Sequence, residues 1–133
     1  MSLIVDASVA VKWVAEEPGS AKARDIVASG GRLLAPDFVL AEAGNALRKK
    51  LVLGILNRVQ VTDGVQTVER AFDELFLTRP LVVAAVRLAV DLSHSVYDCL
   101  YLALAVREEL PVVTADEGMF KAAQRARIEA RLL

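Results

Sequence analysis

What this chain lacks narrows its class first. It has one cysteine, Cys99, and one histidine, His94, in 133 residues. A single thiol cannot form an internal disulfide or a cysteine-based zinc site, and nothing points to an oxidising compartment. A lone imidazole excludes metal sites built on His pairs. The net charge is only -1, from 16 Lys+Arg against 17 Asp+Glu, and the pI is near 5.8. That balance excludes a polybasic coat for nucleic acid, though not a local binding site. The longest apolar runs, such as Cys99 to Val106, reach about half the length of a membrane span. Met1 to Asp6 holds neither a basic segment nor a long apolar one. No signal peptide is therefore expected, and a cytoplasmic location is. Repeats, low-complexity tracts, Pro/Gly/Ser linkers, Gly-x-Gly-x-x-Gly turns and P-loops are all absent.

What is present is apolar side chain: 55% of residues are hydrophobic and 25% charged. A chain of this length and composition is expected to form one domain, residues 1–133, able to bury about two-thirds of its surface. Short apolar runs alternate with longer helical patterns. Leu3–Val5, Leu33–Ala35 and Pro111–Thr114 read as buried strands, and Ile128–Leu132 as a terminal edge strand. Leu77–Leu81 is an ambiguous strand interrupted by Pro80. Helices are expected over Ser8–Ala15, Ser20–Ser29, Asp37–Leu53, Val82–Ser93, Val96–Glu109 and Glu117–Ala126. Asp37 is the expected N-cap of the third. A further helix is expected from Thr62 or Asp63, with Val65, Val68, Phe72 and Leu75 as its stripe. Strands alternating with helices imply an α/β fold with a parallel sheet and right-handed crossovers.

Ligands of such sheets bind beyond the carboxyl ends of the strands. Asp6 ends the first strand and Asp116 follows the strand at Thr114. Glu42 sits in the early turns of the helix after the second strand, and Asp98 opens the apolar helix after Tyr97. Four acids brought to one edge would repel, each pair by about 4 kcal/mol at 4 Å and an effective dielectric near 20. A divalent cation relieves that repulsion, and all-oxygen donors favour Mg²⁺ or Mn²⁺. Such an ion can activate water and neutralise a phosphodiester. Each acid also has an ordinary reading. Asp6 fits a turn and Asp116 an N-cap, Asp98 complements a helix dipole, and Glu42 suits a solvated helix face.

The local sequences add to this. Asp6-Ala7-Ser8 follows a strand, and Glu42 is followed by Asn45. Tyr97-Asp98 opens Cys99-Leu100-Tyr101-Leu102-Ala103-Leu104-Ala105, and Thr114-Ala115-Asp116 follows another strand. Together, in this order and over essentially the whole chain, they resemble the PIN domain family, and most of all the toxin ribonucleases of VapBC toxin–antitoxin pairs. The resemblance implies a three-layer α/β/α sandwich with a short central parallel sheet. It implies a Mg²⁺- or Mn²⁺-dependent endoribonuclease with its metal and catalytic site at Asp6, Glu42, Asp98 and Asp116. Asp6, Asp98 and Asp116 would be the main ligands or water-mediated ligands, and Glu42 would orient or deprotonate the attacking water. Ser8 and Thr114 match hydroxyl positions beside the acids and, with Asn45, would support the site. An RNA substrate, tRNA or rRNA among the candidates, a small antitoxin protein and a homodimer are the partners implied, and no membrane is.

Holding RNA requires cations somewhere. Lys12, on the helix just after Asp6, is the expected substrate contact. Arg48 and Lys50 read as a solvated helix end, and Trp13 as a core residue rather than a base-stacking platform. His94 reads as a surface or helix-start residue. Phe38, Leu51, Leu53 and Leu56 are core residues or part of a groove for an antitoxin segment. A receiver-type phosphoacceptor domain is disfavoured, because no acid pair follows the first strand and Lys121 falls inside a helix. A phosphatase of the Asp-x-Asp type would need an acid where Ser8 stands. The non-enzymatic rival is a PIN-like module that binds RNA or a partner without cleaving.

Overall fold

The computed structural model describes residues 1–133. Five strands form one parallel sheet: β1 (Ser2–Val5), β2 (Arg32–Pro36), β3 (Glu74–Phe76), β4 (Val112–Thr114) and β5 (Ala130–Leu132). Seven helices connect them: α1 (Ala7–Val14), α2 (Ser20–Ala28), α3 (Phe38–Val52), α4 (Arg58–Ala71), α5 (Val82–Leu92), α6 (Val96–Glu108) and α7 (Glu117–Arg125). The strand order is β3-β2-β1-β4-β5, and every pairing is parallel. Right-handed crossovers therefore put α1–α4 on one face and α5–α7 on the other, the expected three-layer sandwich. α1 packs on α2, α3 and α4, while α6 packs on α5 and on β1, β2 and β4.

Local chemistry explains most element ends. Ile4 and Val5 lie in the central strand and are wholly buried, as a continuous apolar run in a parallel sheet should be. The chain reaches β2 through Gly31, where a side-chain Cβ would stand 2.7 Å from the carbonyl oxygen of Met1. Only glycine allows that approach. α6 is buried from Cys99 to Ala105, packed between α5 and the sheet. One cluster of 32 buried apolar residues joins both helical layers to the sheet. No single helix is long and apolar enough to cross a membrane.

Three local expectations need correction. α4 begins at Arg58 instead of Thr62 or Asp63, because Asn57 and Gln60 form a reciprocal capping box. Leu75 leaves the helical stripe for β3, and the strand expected at Leu77–Leu81 lies instead at Glu74–Phe76. Pro80, which has no N–H for a ladder, sits in a 3₁₀ turn at Arg79–Leu81. Asp37 occupies the N-cap position but does not cap α3 with its side chain. Its carboxylate accepts from the Thr78 N–H at 3.1 Å and hydroxyl at 2.7 Å, tying α3 to the segment after β3.

Candidate active site

Chain connections leave the sheet in opposite directions from β1 and β4, which are neighbours. This is the switch point where parallel sheets open a crevice at their carboxyl edge. Val5 pairs with Val113, so Asp6 and Thr114 come out level with each other. Thr114 Oγ1 donates to Asp6 Oδ2 at 2.7 Å, and Ser8 Oγ donates to Asp6 Oδ1 at 2.6 Å. The Val9 N–H adds a third bond at 3.3 Å, so Asp6 caps α1 as well. Both hydroxyls accept from backbone in turn: Ser8 from Ala115 N–H at 2.9 Å and Thr114 from Asp116 N–H at 3.0 Å. Each hydroxyl directs its only proton at Asp6, so the pair fixes the position of that carboxylate.

Asp6 is 4% exposed, and burial pushes its carboxyl up to about 7. The bonds from Ser8, Thr114 and Val9 pull it down, and the charge of Glu42 pushes it further up. Here the neutral donors do not outweigh the loss of water around the charge. Glu42 is held from the opposite layer, where Tyr101 OH donates to Oε1 at 2.6 Å. Burial raises the Glu42 carboxyl above its ordinary value, the Tyr101 bond lowers it, and the charges of Asp98 and Asp116 raise it. Those last influences arise because the acids face one another. Burial first, then the charge of Glu42, holds the Tyr101 phenol far above its ordinary value, so it stays a donor.

Asp98 lies in the first turn of α6, whose N-cap Ser95 accepts from the Asp98 N–H at 3.3 Å. Its Oδ2 stands 2.7 Å from His94 Nε2. Asp116 caps α7, accepting from Met119 N–H at 3.0 Å. The ordinary capping roles and the gathering of acids therefore hold together, since a helix that starts at a strand end aims its cap at the crevice.

Asp6, Glu42, Asp98 and Asp116 all line one cavity of about 530 Å³. Ser8, Lys12, Lys49 and Lys50 line it too, while Asn45 does not. Asn45 is exposed and accepts from Arg48 Nε at 3.3 Å. Lys50, read from the sequence as a solvated helix end, is instead turned into the cavity and bonds Glu17 Oε2 at 2.6 Å. Lys12 bonds Glu17 Oε1 at 3.0 Å and the Pro18 carbonyl at 2.8 Å. Burial acts to raise the Glu17 carboxyl, but the hydrogen bonds and charges of Lys50 and Lys12 outweigh it and leave it below its ordinary value. Trp13 is a core residue: its Nε1 donates to the Ala23 carbonyl at 2.9 Å and its ring lies 5.3 Å from that of Phe72. Sequence reading missed His94, Tyr101 and Glu17 as neighbours of the acids. The four-residue spacing from His94 to Asp98 was a usable signal, whereas Tyr101–Glu42 joins residues 59 apart and gave none.

The donor set suits a hard divalent cation. It offers carboxylates and hydroxyls, and the one thiol nearby, Cys99, is buried. Burial, then the charge of Asp98, pushes that thiol up to about 11. No three acidic, thiol or imidazole side chains meet at one point as they stand. Mg²⁺ ordinarily takes one or two carboxylates and keeps several waters, which this arrangement allows.

Comparison with known proteins agrees with the architecture. The chain is similar to the PAE2754 protein of Pyrobaculum aerophilum, at 25% identity and a TM-score of 0.73, over 92% of this chain and 87% of that one. It is similar in fold to the Mycobacterium tuberculosis VapC20, described as a Sarcin-Ricin loop cleaving toxin. There the identity is 16% and the TM-score 0.71, over 90% of this chain and 94% of that one. The VapBC2 complex of Rickettsia felis, bound to a DNA fragment from its promoter, gives 15% identity and a TM-score of 0.71. That match covers 100% of this chain and 99% of the other. No curated protein sequence matches. The PIN domain family model matches residues 3–125, and the chain belongs to that family.

Proposed function

We propose that this protein is an endoribonuclease dependent on Mg²⁺ or Mn²⁺, and the toxin of a VapBC-type toxin–antitoxin pair. The observation that carries the reading is the meeting of Asp6, Glu42, Asp98 and Asp116 in one cavity at the sheet's switch point. Carboxyls that face one another around a buried Asp6 call for a cation, and membership of a nuclease family supports that reading. A bound divalent ion supplies positive charge for the phosphodiester and makes water more acidic. Asp6, Asp98 and Asp116 would hold that ion, directly or through its waters. Ser8 and Thr114 keep both Asp6 oxygens in place. Glu42, fixed through Tyr101, orients the attacking water or takes its proton.

Similarity in fold to a toxin that cleaves the Sarcin-Ricin loop, and to one half of a toxin–antitoxin complex, supports RNA and a small antitoxin as partners. tRNA and rRNA are the substrates to try first. Val52, Leu53, Ile55 and Val59 form an exposed apolar stretch from the end of α3 into α4. It suits an antitoxin helix or a second copy of the chain in a homodimer. The test is cleavage of tRNAs and rRNA fragments during titration with Mg²⁺ or Mn²⁺. Cleavage that EDTA stops is expected. Full activity in both Asp6→Asn and Asp116→Asn would sink the site. Expression should also arrest growth, and a neighbouring small reading frame should relieve it.

A further inference from the structure

The cavity that holds the four acids has a second, basic end. Lys12 and Lys50 reach it from α1 and α3, and their ammonium groups hold one carboxylate between them, each on a different oxygen of Glu17. From Glu42 to Lys50 is eight residues along α3, about 12 Å. The Lys50 backbone therefore lies about two turns along α3 from Glu42, while its side chain shares the cavity with the acids. We propose that Lys12 and Lys50 form a subsite for a phosphodiester of the RNA strand next to the one cleaved, and that Glu17 fills this subsite in the free protein as an internal competitor. This inference rests on the ribonuclease reading.

Several features favour the exchange. A phosphodiester offers two charged oxygens and one negative charge, as a carboxylate does, so it can replace Glu17 without leaving an uncompensated charge. Lys12 does not depend on Glu17 alone for position. Lys12 also bonds the Pro18 carbonyl, and its aliphatic stem lies against Gly19, where a Cβ would stand 3.5 Å from Lys12 Cδ. The Glu17 backbone is anchored through its N–H to Ser20 Oγ at 3.0 Å and its carbonyl to Ser20 N–H at 3.0 Å. Its side chain is 24% exposed, so rotation of that side chain alone can free the lysines. The arrangement also answers a difficulty of the site. Four acids repel a polyanion, and a displaceable carboxylate keeps two cations placed for the strand without leaving them bare.

The experiment is binding of a fluorescein-labelled single-stranded oligouridylate in EDTA, followed by anisotropy across a salt series. Glu17→Gln is expected to bind about tenfold tighter than wild type at low salt. Its salt slope should steepen by about 0.7 for each additional phosphate that the freed lysines neutralise. Lys50→Met should weaken binding, and the advantage of Glu17→Gln should vanish in a Lys12→Met, Lys50→Met background. Glu16→Gln changes the net charge equally at an exposed acid that pairs with Arg24, and should leave binding unchanged. Equal or weaker binding by folded Glu17→Gln overturns the proposal, as does an equal tightening by Glu16→Gln. If Glu17→Gln does not fold, unaltered binding by Lys50→Met overturns it instead. Cleavage is not read in this assay. A chain that binds as expected yet cuts no RNA with any metal refutes the nuclease reading and leaves the subsite standing.

Discussion

The two ends of the cavity treat a carboxylate in opposite ways. Asp6 at the floor receives three hydrogen bonds, all from neutral donors, and its carboxyl still rises to about 7. Glu17 at the rim meets two ammonium groups and some water, and its carboxyl falls below the ordinary value. At Asp6 the neutral donors orient the charge without outweighing its burial, whereas at Glu17 two opposite charges outweigh it. The floor is thus built for a cation from outside, whereas the rim already has its own.

The largest expected effect falls on the floor. Asp6→Asn should lower metal-dependent cleavage by at least about 10²-fold, measured as single-turnover rate on a cleavable RNA. Retained activity would place the reaction away from Asp6.

Stability without metal sharpens the contrast next. Asp6 has a folded value above its unfolded one, so between pH about 4 and about 7 the folded state binds more protons than the unfolded state. The stability it contributes is complete below that window and is lost through it, by about 4 kcal/mol at most. Urea unfolding in EDTA should show wild type weaker at pH 8 than at pH 5, and Asp6→Asn should remove most of that slope. Adding the working metal at about a hundred times its Kd should return about 2.7 kcal/mol at pH 8.

A smaller effect is expected at the link between the helical layers. Tyr101→Phe removes the bond to Glu42 Oε1 while keeping the ring in the core. The cost to stability should be about 1 kcal/mol. The cleavage rate should fall about tenfold with Mg²⁺ affinity little changed, because Glu42 loses its orientation rather than its charge.

The smallest belongs to the rim. Lys50→Met should destabilise by less than about 1 kcal/mol by urea titration, because its ion pair with Glu17 is partly exposed. A larger loss would mean that the triad serves to lock α1 to α3.

Much of the site was legible because it follows from strand ends. In a parallel sheet every strand delivers its next residue to the same edge, so Asp6 and Asp116 could be placed from the apolar runs before them. The helix starts at Glu42 and Asp98 were nearly as clear. The misreadings have a common cause in pairing that is distant in sequence. Leu75 continues a helical period from Val65 and Val68, yet the Asp73 carboxylate accepts from Leu33 N–H at 2.8 Å and Glu74 pairs with Leu34. Those contacts cross about forty residues, and periodicity within a window has no access to them. The start of α4 is different, since Asn57 and Gln60 carried a local capping signal.

By itself the sequence determined the alternation of strands and helices, the sheet edge to which the acids come, and the absence of any thiol or imidazole pair that could bind metal in their place. These depend on residue order and on side-chain chemistry, both local. Only the tertiary structure decided which distant groups the carboxylates meet: the Thr114 hydroxyl for Asp6, the Tyr101 phenol for Glu42 and Lys50 for Glu17. The charge state of a carboxyl depends on its burial and on the groups within a few ångströms. In this fold half of those groups, Thr114, Tyr101 and Lys50, arrive from elements far apart in the chain.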